Sequence, residues 1–573
     1  MLDPYRMIVV NLALLTVLGG CILFYKLFFK NKKINLFYIL IFLAIISSIS
    51  IFRTGAYESG DFNIHIYRSM EFYRSLSEGI IMPSWAANLN ATFGYPLFIF
   101  NYSLPYYFIS ALHFIGLSFI NSLKVFLAAN LVLSALFMYI FVQNKFKNDL
   151  ASFASGVFYL FFPYHLISVH FKVTIGEILA FTLIPLLFLF LDKFTRENKN
   201  YFLVLSGIIL GLVALSHIFI SIFLIPIIFM YSWSYKTKTI IAFKIILIGL
   251  LMSSYQWAPS LIFNSVLFTS KYPIDINTIY FPSISDLIYS PWRYGLLFQG
   301  PKGEISYLLG YAELIIIGLT LFLSIKNKFS VKYNTQIQFF LGLLFMLVLL
   351  MIPTSRNVWD AFPLLGAAGP HRLLIPLGFI IALLSSYIAI LVRDKKWIYI
   401  LIAFAVLTTL LNWGQRRVIP EINDKILEKN ISLSTYLGES HFYANTKYVN
   451  PKHPWFSNIP KNKIETIKGK ASFSSGENNS ALHIYRASIS QVSLISEKTL
   501  YFPGWKAYAN GKPINIFPGK EGEINFILPK GDFNLMVFYK DEILFRLVKI
   551  ISITSLLLGF IYLFRSFKFH KSK

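Results

Sequence analysis

Residues 96–143 read PLFIFNYSLPYYFISALHFIGLSFINSLKVFLAANLVLSALFMYIFVQ, and the number of times this stretch crosses a bilayer decides the fold. About 20 apolar residues in helical form span a hydrocarbon core of about 30 Å, so the stretch has room for two crossings. The basic residues Lys145 and Lys147 follow at once and belong on the cytoplasmic side. If the chain leaves the membrane outward after Phe52, the stretch must contain an odd number of crossings. One full crossing is therefore placed at 119–143. Residues 97–117, interrupted by Asn101, Ser103 and Pro105, are expected to form a re-entrant or surface-lying helix on the outer side. The alternative is that the stretch crosses twice and the first apolar run does not cross.

Working outward, the whole chain has the same character. Of 573 residues, 56% are hydrophobic and 14% charged, with a mean hydropathy of +0.61, which excludes an ordinary soluble protein. Lys and Arg number 52 against 27 Asp and Glu, a net charge of +25. The cations cluster between apolar runs, as at Lys30–Lys33 and Arg393–Lys396, where they set topology against anionic lipid rather than bind nucleic acid. Further crossings are expected near 7–29, 34–52, 148–165, 177–192, 202–215, 217–233, 238–257, 306–325, 337–352, 372–393, 397–413 and 546–566. The first is read as a retained anchor, because it lacks the basic start and small-residue cleavage site of a secretory signal. Cys21 is the single cysteine, so no intrachain disulfide or cysteine-built zinc site can form.

The expected architecture is a polytopic α-helical membrane protein of about thirteen transmembrane helices with a small β-rich extracytoplasmic domain near the C-terminus. Residues 1–413 make the transmembrane domain, with the outer loop 53–96 as its catalytic segment. Residues 414–545, alternating and punctuated by turns such as Asn510-Gly511 and Pro518-Gly519, make the β-rich domain. Residues 546–573 return through the membrane to a basic cytoplasmic tail. The long polar loops all fall outside, which places the chemistry there.

The first outer loop carries Asp61, His65 and Arg68 at helical spacing after Ser59-Gly60. An acid, an imidazole and a guanidinium on one face can take a proton, hold a divalent ion or bind phosphate. The plainer alternative is that Asp61 caps the helix and Arg68 pairs with Glu71. Trp85, Tyr95 and Asn101 follow in an aromatic-rich stretch that reads either as an interfacial belt or as a platform for sugar or acceptor. Glu177 opens an apolar helix with Lys172 shortly before it, a costly placement for a carboxylate and hence a functional candidate. Trp292 and Arg293 lie in one further outer loop, and His371 and Arg372 in another. The fork of Arg372 suits bidentate phosphate binding. His217, alone between two short crossings, reads as structural. The turn at Tyr501–Trp505 reads as domain core.

In order along the chain, the Asp61–His65 loop, Gly94-Tyr95-Pro96-Leu97-Phe98, Pro163-Tyr164 with Gly176-Glu177, Ser290-Pro291-Trp292, the Arg372 loop and Tyr501–Tyr508 resemble a family of multi-pass proteins. That family is described as 6-pyruvoyl-tetrahydropterin synthase-related, is close to YfhO-like proteins, and is related to the GT-C glycosyltransferases. The synthase label does not fit a chain of this hydropathy. The resemblance implies sugar transfer from a polyprenyl-phosphate donor to an extracytoplasmic glycan, lipid or protein at the plasma membrane. Asp61 is then the base or a divalent-cation ligand, with His65 assisting or co-ligating. Arg372, with Arg68, Lys172, Glu177, Arg293 and His371 near it, handles the phosphate, and Trp85, Tyr95, Asn101 and Trp292 receive sugar or acceptor. The rival readings are a non-catalytic glycan-binding scaffold and a transporter of lipid-linked substrate.

Overall fold

The computed structural model describes residues 4–29, 32–234, 239–272, 279–289, 306–362, 368–414, 418–430, 445–451, 456 and 458–571. Trp292 and Arg293 lie outside the described residues. Each apolar run named above is helical over most of its described residues, since a backbone in lipid must satisfy its own hydrogen bonds. Among the described residues, six helices are long and apolar enough to cross a membrane, or up to eight if two bent pairs each count as one span. Others, such as Asn200–Ser216 and Lys396–Thr408, are shorter, so the expected count near thirteen exceeds what length alone supports.

Two helices form the centre: Ile175–Glu197 and Pro370–Leu391 are almost wholly surrounded by protein, whereas Ile8–Phe28 and Ile543–Ser566 are largely bare. A bare helix that is apolar all round is covered by lipid. Residues 97–117 form two short helices, Leu97–Phe100 and Leu104–Phe114, broken at Asn101–Ser103. The longer has 11 residues, about 16 Å of rise and too short to cross.

The segment before the Asp61 helix is fixed from below. Lys124, buried on Phe119–Phe146, donates to the Arg53 and Gly55 carbonyls at 2.5 Å each. Ala56–Tyr57 then pairs antiparallel with Val418–Ile419. Asp424 accepts from the Phe119 and Ile120 amides at 2.6 and 3.2 Å, placing a negative charge at the positive end of that helix.

The β-rich part occupies Ile464–Tyr539, the C-terminal portion of the expected range. One sheet orders Ile464–Lys468, Ser493–Leu500, Glu523–Leu528 and Phe517–Pro518. The other orders Ala471–Asn478, Leu482–Ile489, Gly531–Tyr539, Trp505–Ala509 and Lys512–Ile514. Tyr485 of the second sheet donates to Glu497 of the first at 3.1 Å, inside a core of Ile495, Phe526, Leu535 and Val537.

This sandwich grips the chain that follows the Asp61 helix. Ser480 N–H donates to Glu78, Leu500 N–H to the Phe93 carbonyl and Lys463 to the Thr92 carbonyl, while the Phe93 and Phe456 rings stack at 3.6 Å. Trp85 is buried against Trp505, Tyr539 and Phe502, with ring centroids 5.3, 6.0 and 6.4 Å away. Its expected role as a sugar platform is therefore corrected: its faces are spent joining the sandwich to the first loop. Trp85→Ala is expected to cost about 3–5 kcal/mol, read as a lower Tm in detergent and faster proteolysis within residues 464–539.

Candidate functional site

Asp61 immediately precedes helix Phe62–Ser77, yet its side chain makes no capping bond. Ser59 caps instead, its Oγ accepting from Phe62 N–H at 3.0 Å. Glu71 does not pair with Arg68 either, because its carboxylate takes the Asn88 backbone and side-chain N–H groups at 2.8 and 2.6 Å. The plain alternative thus fails for both charges, and Asp61 and Arg68 are left facing a cavity.

That cavity, of about 300 Å³, is lined by Asp61, His65, Arg68, Asn101, Tyr102, Glu177, His217 and Arg372, together with Gln256, Ser260 and Asn264 from a separate segment. Ile218, Phe219, Leu97, Phe100 and Leu267 supply apolar lining. The volume sits at the small end for a ligand pocket.

Glu177 organises the charged side. It is buried in the first turn of Ile175–Glu197. Its Oε1 meets Arg372 Nε at 2.9 Å, and its Oε2 meets Lys172 Nζ at 3.2 Å, the Tyr164 hydroxyl at 2.7 Å and the Thr174 hydroxyl at 3.2 Å. Such density of partners is what a buried carboxylate requires. Arg372 also donates through Nη1 to the Ala368 carbonyl, so two of its three nitrogens are held by protein. Lys172 does not line the cavity: its ammonium bonds Tyr164 at 2.6 Å and Glu177, so its expected phosphate contact is corrected to support of Glu177.

The same segment holds Asp61. Ser168–Lys172 is a π-helical turn ending at Val173 in the left-handed region, φ +59° and ψ +47°. For a β-branched residue that conformation costs about 1–3 kcal/mol and persists because its surroundings impose it. The turn directs the Phe171 and Lys172 carbonyls to the Gly60 and Asp61 amides, each at 2.8 Å. One short stretch therefore fixes Asp61 by its backbone and Glu177 by its side chains.

Burial raises the Asp61 carboxyl above its ordinary range, and the charges of Arg68, Lys172 and Arg372 pull it back down. His65 is pushed well below its ordinary value by burial and then by Arg68, so its imidazole is neutral near pH 7. Arg68 Nη1 donates to the Tyr106 oxygen at 3.3 Å, and the Tyr106 hydroxyl is 2.9 Å from His65 Nδ1. With the Tyr106 hydroxyl donating to Nδ1, the single proton of the neutral ring sits on Nε2. Nε2 is buried with no hydrogen-bond partner, which makes His65 a donor toward a ligand.

Metal binding by Asp61 and His65 does not fit this donor set. Among the described residues no group of three His, Cys, Asp or Glu could hold an ion, and Arg68 already supplies positive charge beside Asp61. No step is routed through a metal.

Tyr95 is buried, bridged to Ala86 and hydrogen-bonded to Arg68 from behind the cavity lining, so its platform role is corrected to support of Arg68. His371 is off the cavity wall, 6.3 Å from the Tyr164 and Tyr307 rings, and its expected phosphate contact is not made by this placement. Asn101 lines the cavity at the break between the two short helices. His217, read as structural, lies on the wall between Tyr102 and the Glu177–Arg372 pair, its Nδ1 buried without a partner. Its position after a helix end was the available signal.

Gly176 is required by close approach. A Cβ there would lie 2.4 Å from the Ser216 carbonyl oxygen and 2.8 Å from the Tyr102 ring. Gly176→Ala is expected to push the Ser216–His217 turn off the cavity wall and to destabilise by about 1–3 kcal/mol, checked by thermal unfolding in detergent. Ala180→Gly on the same helix serves as control for backbone effects.

The family model for a membrane protein with a 6-pyruvoyl-tetrahydropterin synthase related domain matches residues 99–419, more than half of the chain. The match covers Asn101, Glu177, His217, Gln256 and Arg372 but neither Asp61 nor the sandwich. An uncharacterized protein of Lactococcus lactis subsp. cremoris (strain MG1363) is 26% identical over 208 residues, 35% of this chain and 34% of that protein. The chain thus spans about a third of the length of that curated relative. Among solved structures, the apo oligosaccharyltransferase of Archaeoglobus fulgidus is similar with a TM-score of 0.41 and 12% identity, over 69% of this chain and 56% of that one. The mycobacterial arabinofuranosyltransferase AftD is similar with a TM-score of 0.39 and 14% identity, over 67% and 27%. Likeness at this level carries neither neighbour's activity onto this chain.

Proposed function

This chain belongs to the membrane-protein family described as related to 6-pyruvoyl-tetrahydropterin synthase, and from that premise we propose that it is a glycosyltransferase. It takes a sugar from a polyprenyl-phosphate donor and passes it to a cell-envelope glycan, lipid or protein on the extracytoplasmic face of the plasma membrane. The observation that carries the reading is that Asp61 and Arg372, 311 residues apart in sequence, line one cavity and are tied to each other through Lys172 and Glu177.

In this reaction the acceptor hydroxyl oxygen forms a bond to the anomeric carbon while the bond from that carbon to the donor phosphate oxygen breaks. The hydroxyl proton passes to the Asp61 carboxylate, and the electron pair leaves with the polyprenyl phosphate. Arg372 receives the growing phosphate charge, oriented by Glu177 and Ala368 so that little reorganisation is needed as charge develops. Arg68 contributes positive potential from the other side of Asp61. His65 donates from Nε2 to a sugar oxygen. The apolar wall of Ile218, Phe219 and Leu267 suits the first isoprene units of the carrier.

The test is sugar transfer by purified protein in lipid nanodiscs. Asp61→Asn keeps the volume and removes the base, and transfer is expected to fall by at least 10²-fold with donor binding retained. Normal transfer by a folded Asp61→Asn protein removes the assignment.

The pH profile gives a second check. Since the reactive form is the carboxylate and burial raises its pKa, kcat/KM is expected to climb with pH along an acid limb lying above the ordinary Asp value of about 4. A limb at or below that value contradicts Asp61 as the buried base.

A further inference from the structure

The uncharged wall of the cavity is not used by the mechanism above. Helix Thr239–Met252 bends by 74° at Ser253 into Ser254–Ile262. From that second arm Gln256 and Ser260, and from the turn beyond it Asn264, all line the cavity. Their spacing of four residues puts them on one side of the segment, spread over roughly 12 Å. They grade in exposure: Gln256 is buried, Ser260 half-buried and Asn264 exposed. The arm is anchored by a hydrogen bond between the Tyr255 and Ser103 hydroxyls.

A buried amide on a broken apolar helix is costly unless something answers it. Gln256 Oε1 is buried with no hydrogen-bond partner. On the same cavity His65 Nε2, His217 Nδ1 and Asn101 Nδ2 are buried and equally unanswered. Four unpaired polar atoms lining one hollow call for a ligand carrying several neutral donors and acceptors. The charged and imidazole groups among the described lining residues come from other elements, at Asp61, His65, Arg68, Glu177, His217 and Arg372. The stripe itself offers amides and a hydroxyl without net charge.

We infer that Gln256, Ser260 and Asn264 form a sugar-reading subsite that selects an uncharged, polyhydroxylated sugar on the donor. This rests on the glycosyltransferase reading and adds the class of sugar. The cavity then divides its work, with phosphate held at Arg372 and sugar hydroxyls read by the neutral stripe. A uronate would bring a second negative charge that competes with the phosphate for Arg372, so charged sugars are disfavoured.

Binding rather than turnover is the decisive measurement, using the full chain in nanodiscs. The probes are a short polyprenyl phosphate, bare or carrying glucose, galactose, mannose or glucuronate. At least one neutral sugar is expected to tighten binding at least tenfold over the bare carrier. Glucuronate is expected to add nothing. Gln256→Ala and Ser260→Ala are each expected to erase most of the sugar's gain, with binding of the bare carrier and the Tm unchanged. In transfer assays the same variants are expected to raise the donor KM more than they lower kcat. The inference is overturned if no neutral sugar binds better than the bare carrier, if glucuronate binds best, or if both variants keep the full gain. Failure of the broader reading shows differently, as transfer surviving Asp61→Asn.

Discussion

A carboxylate buried at the start of a membrane helix, shared between a lysine and an arginine, governs the arrangement of this protein. Glu177 meets Lys172, Arg372, Tyr164 and Thr174 at once. The net worth of such a buried pair over an apolar packing is small, but removing one partner leaves an uncompensated charge at about 3–5 kcal/mol. Its contribution is therefore to specify geometry. The chain around 164–177 cannot rearrange without unpairing Glu177, and the same chain presents the Lys172 carbonyl that holds the Asp61 amide. Gly176 makes the arrangement possible by letting Ser216 and Tyr102 approach where any side chain would stand.

The opposite end of the central helix answers a different need. Asp192, near the C-terminus of Ile175–Glu197, is buried between Lys145 and Arg196, with Tyr231 donating to it at 3.2 Å. It lies 15 residues after Glu177, roughly 22 Å along the axis. Here two helix ends and a basic loop are stapled together, whereas Glu177 stands beside an open cavity. The same chemical device closes the bundle at one end and sets a guanidinium on the cavity lining at the other. A cation near a helix C-terminus is favoured by the dipole as well, so the Asp192 cluster needs no ligand to account for it.

Much of the helical fold was legible because hydropathy is a local property: twenty apolar residues need no partner to be recognised. The breaks were legible where a polar residue interrupts an apolar run, as at Asn101–Ser103. What failed were readings that depended on distant partners. Trp85 and Tyr95 look like an interfacial belt, and nothing near them in sequence reveals that Trp505, some 420 residues on, takes up the Trp85 ring. The alternative of Asp61 as a helix cap failed for a local reason: Ser59, two residues earlier, takes the Phe62 amide of the first turn, and Asp61 makes no capping bond. The Gln256, Ser260 and Asn264 spacing was present in the sequence, but three neutral polar residues in an apolar stretch carry no charge to draw attention. Their meaning depends on the fold, which breaks the helix by 74° and brings them to the cavity that Asp61 also lines.

The sandwich and the cavity are coupled through covalent continuity. The helix that begins beside Asp61 ends at Ser77, and within the next twenty residues the chain has given Glu78, Trp85, Asn90, Thr92 and Phe93 to contacts with the C-terminal part. Asn90, Ala91 and Thr92 in that stretch all adopt positive φ, at 57°, 50° and 68°, a left-handed turn that ordinary residues enter at a cost of about 1–2 kcal/mol each. The Phe456 amide on Asn90 and the Lys463 ammonium on Thr92 hold it there. Strain of this kind is sustained only while both sides of the seam are in place. Displacing the sandwich would release the turn, and with it the far end of the helix that presents Asp61, His65 and Arg68. The sandwich is thus built into the support of the chain that carries Asp61, His65 and Arg68.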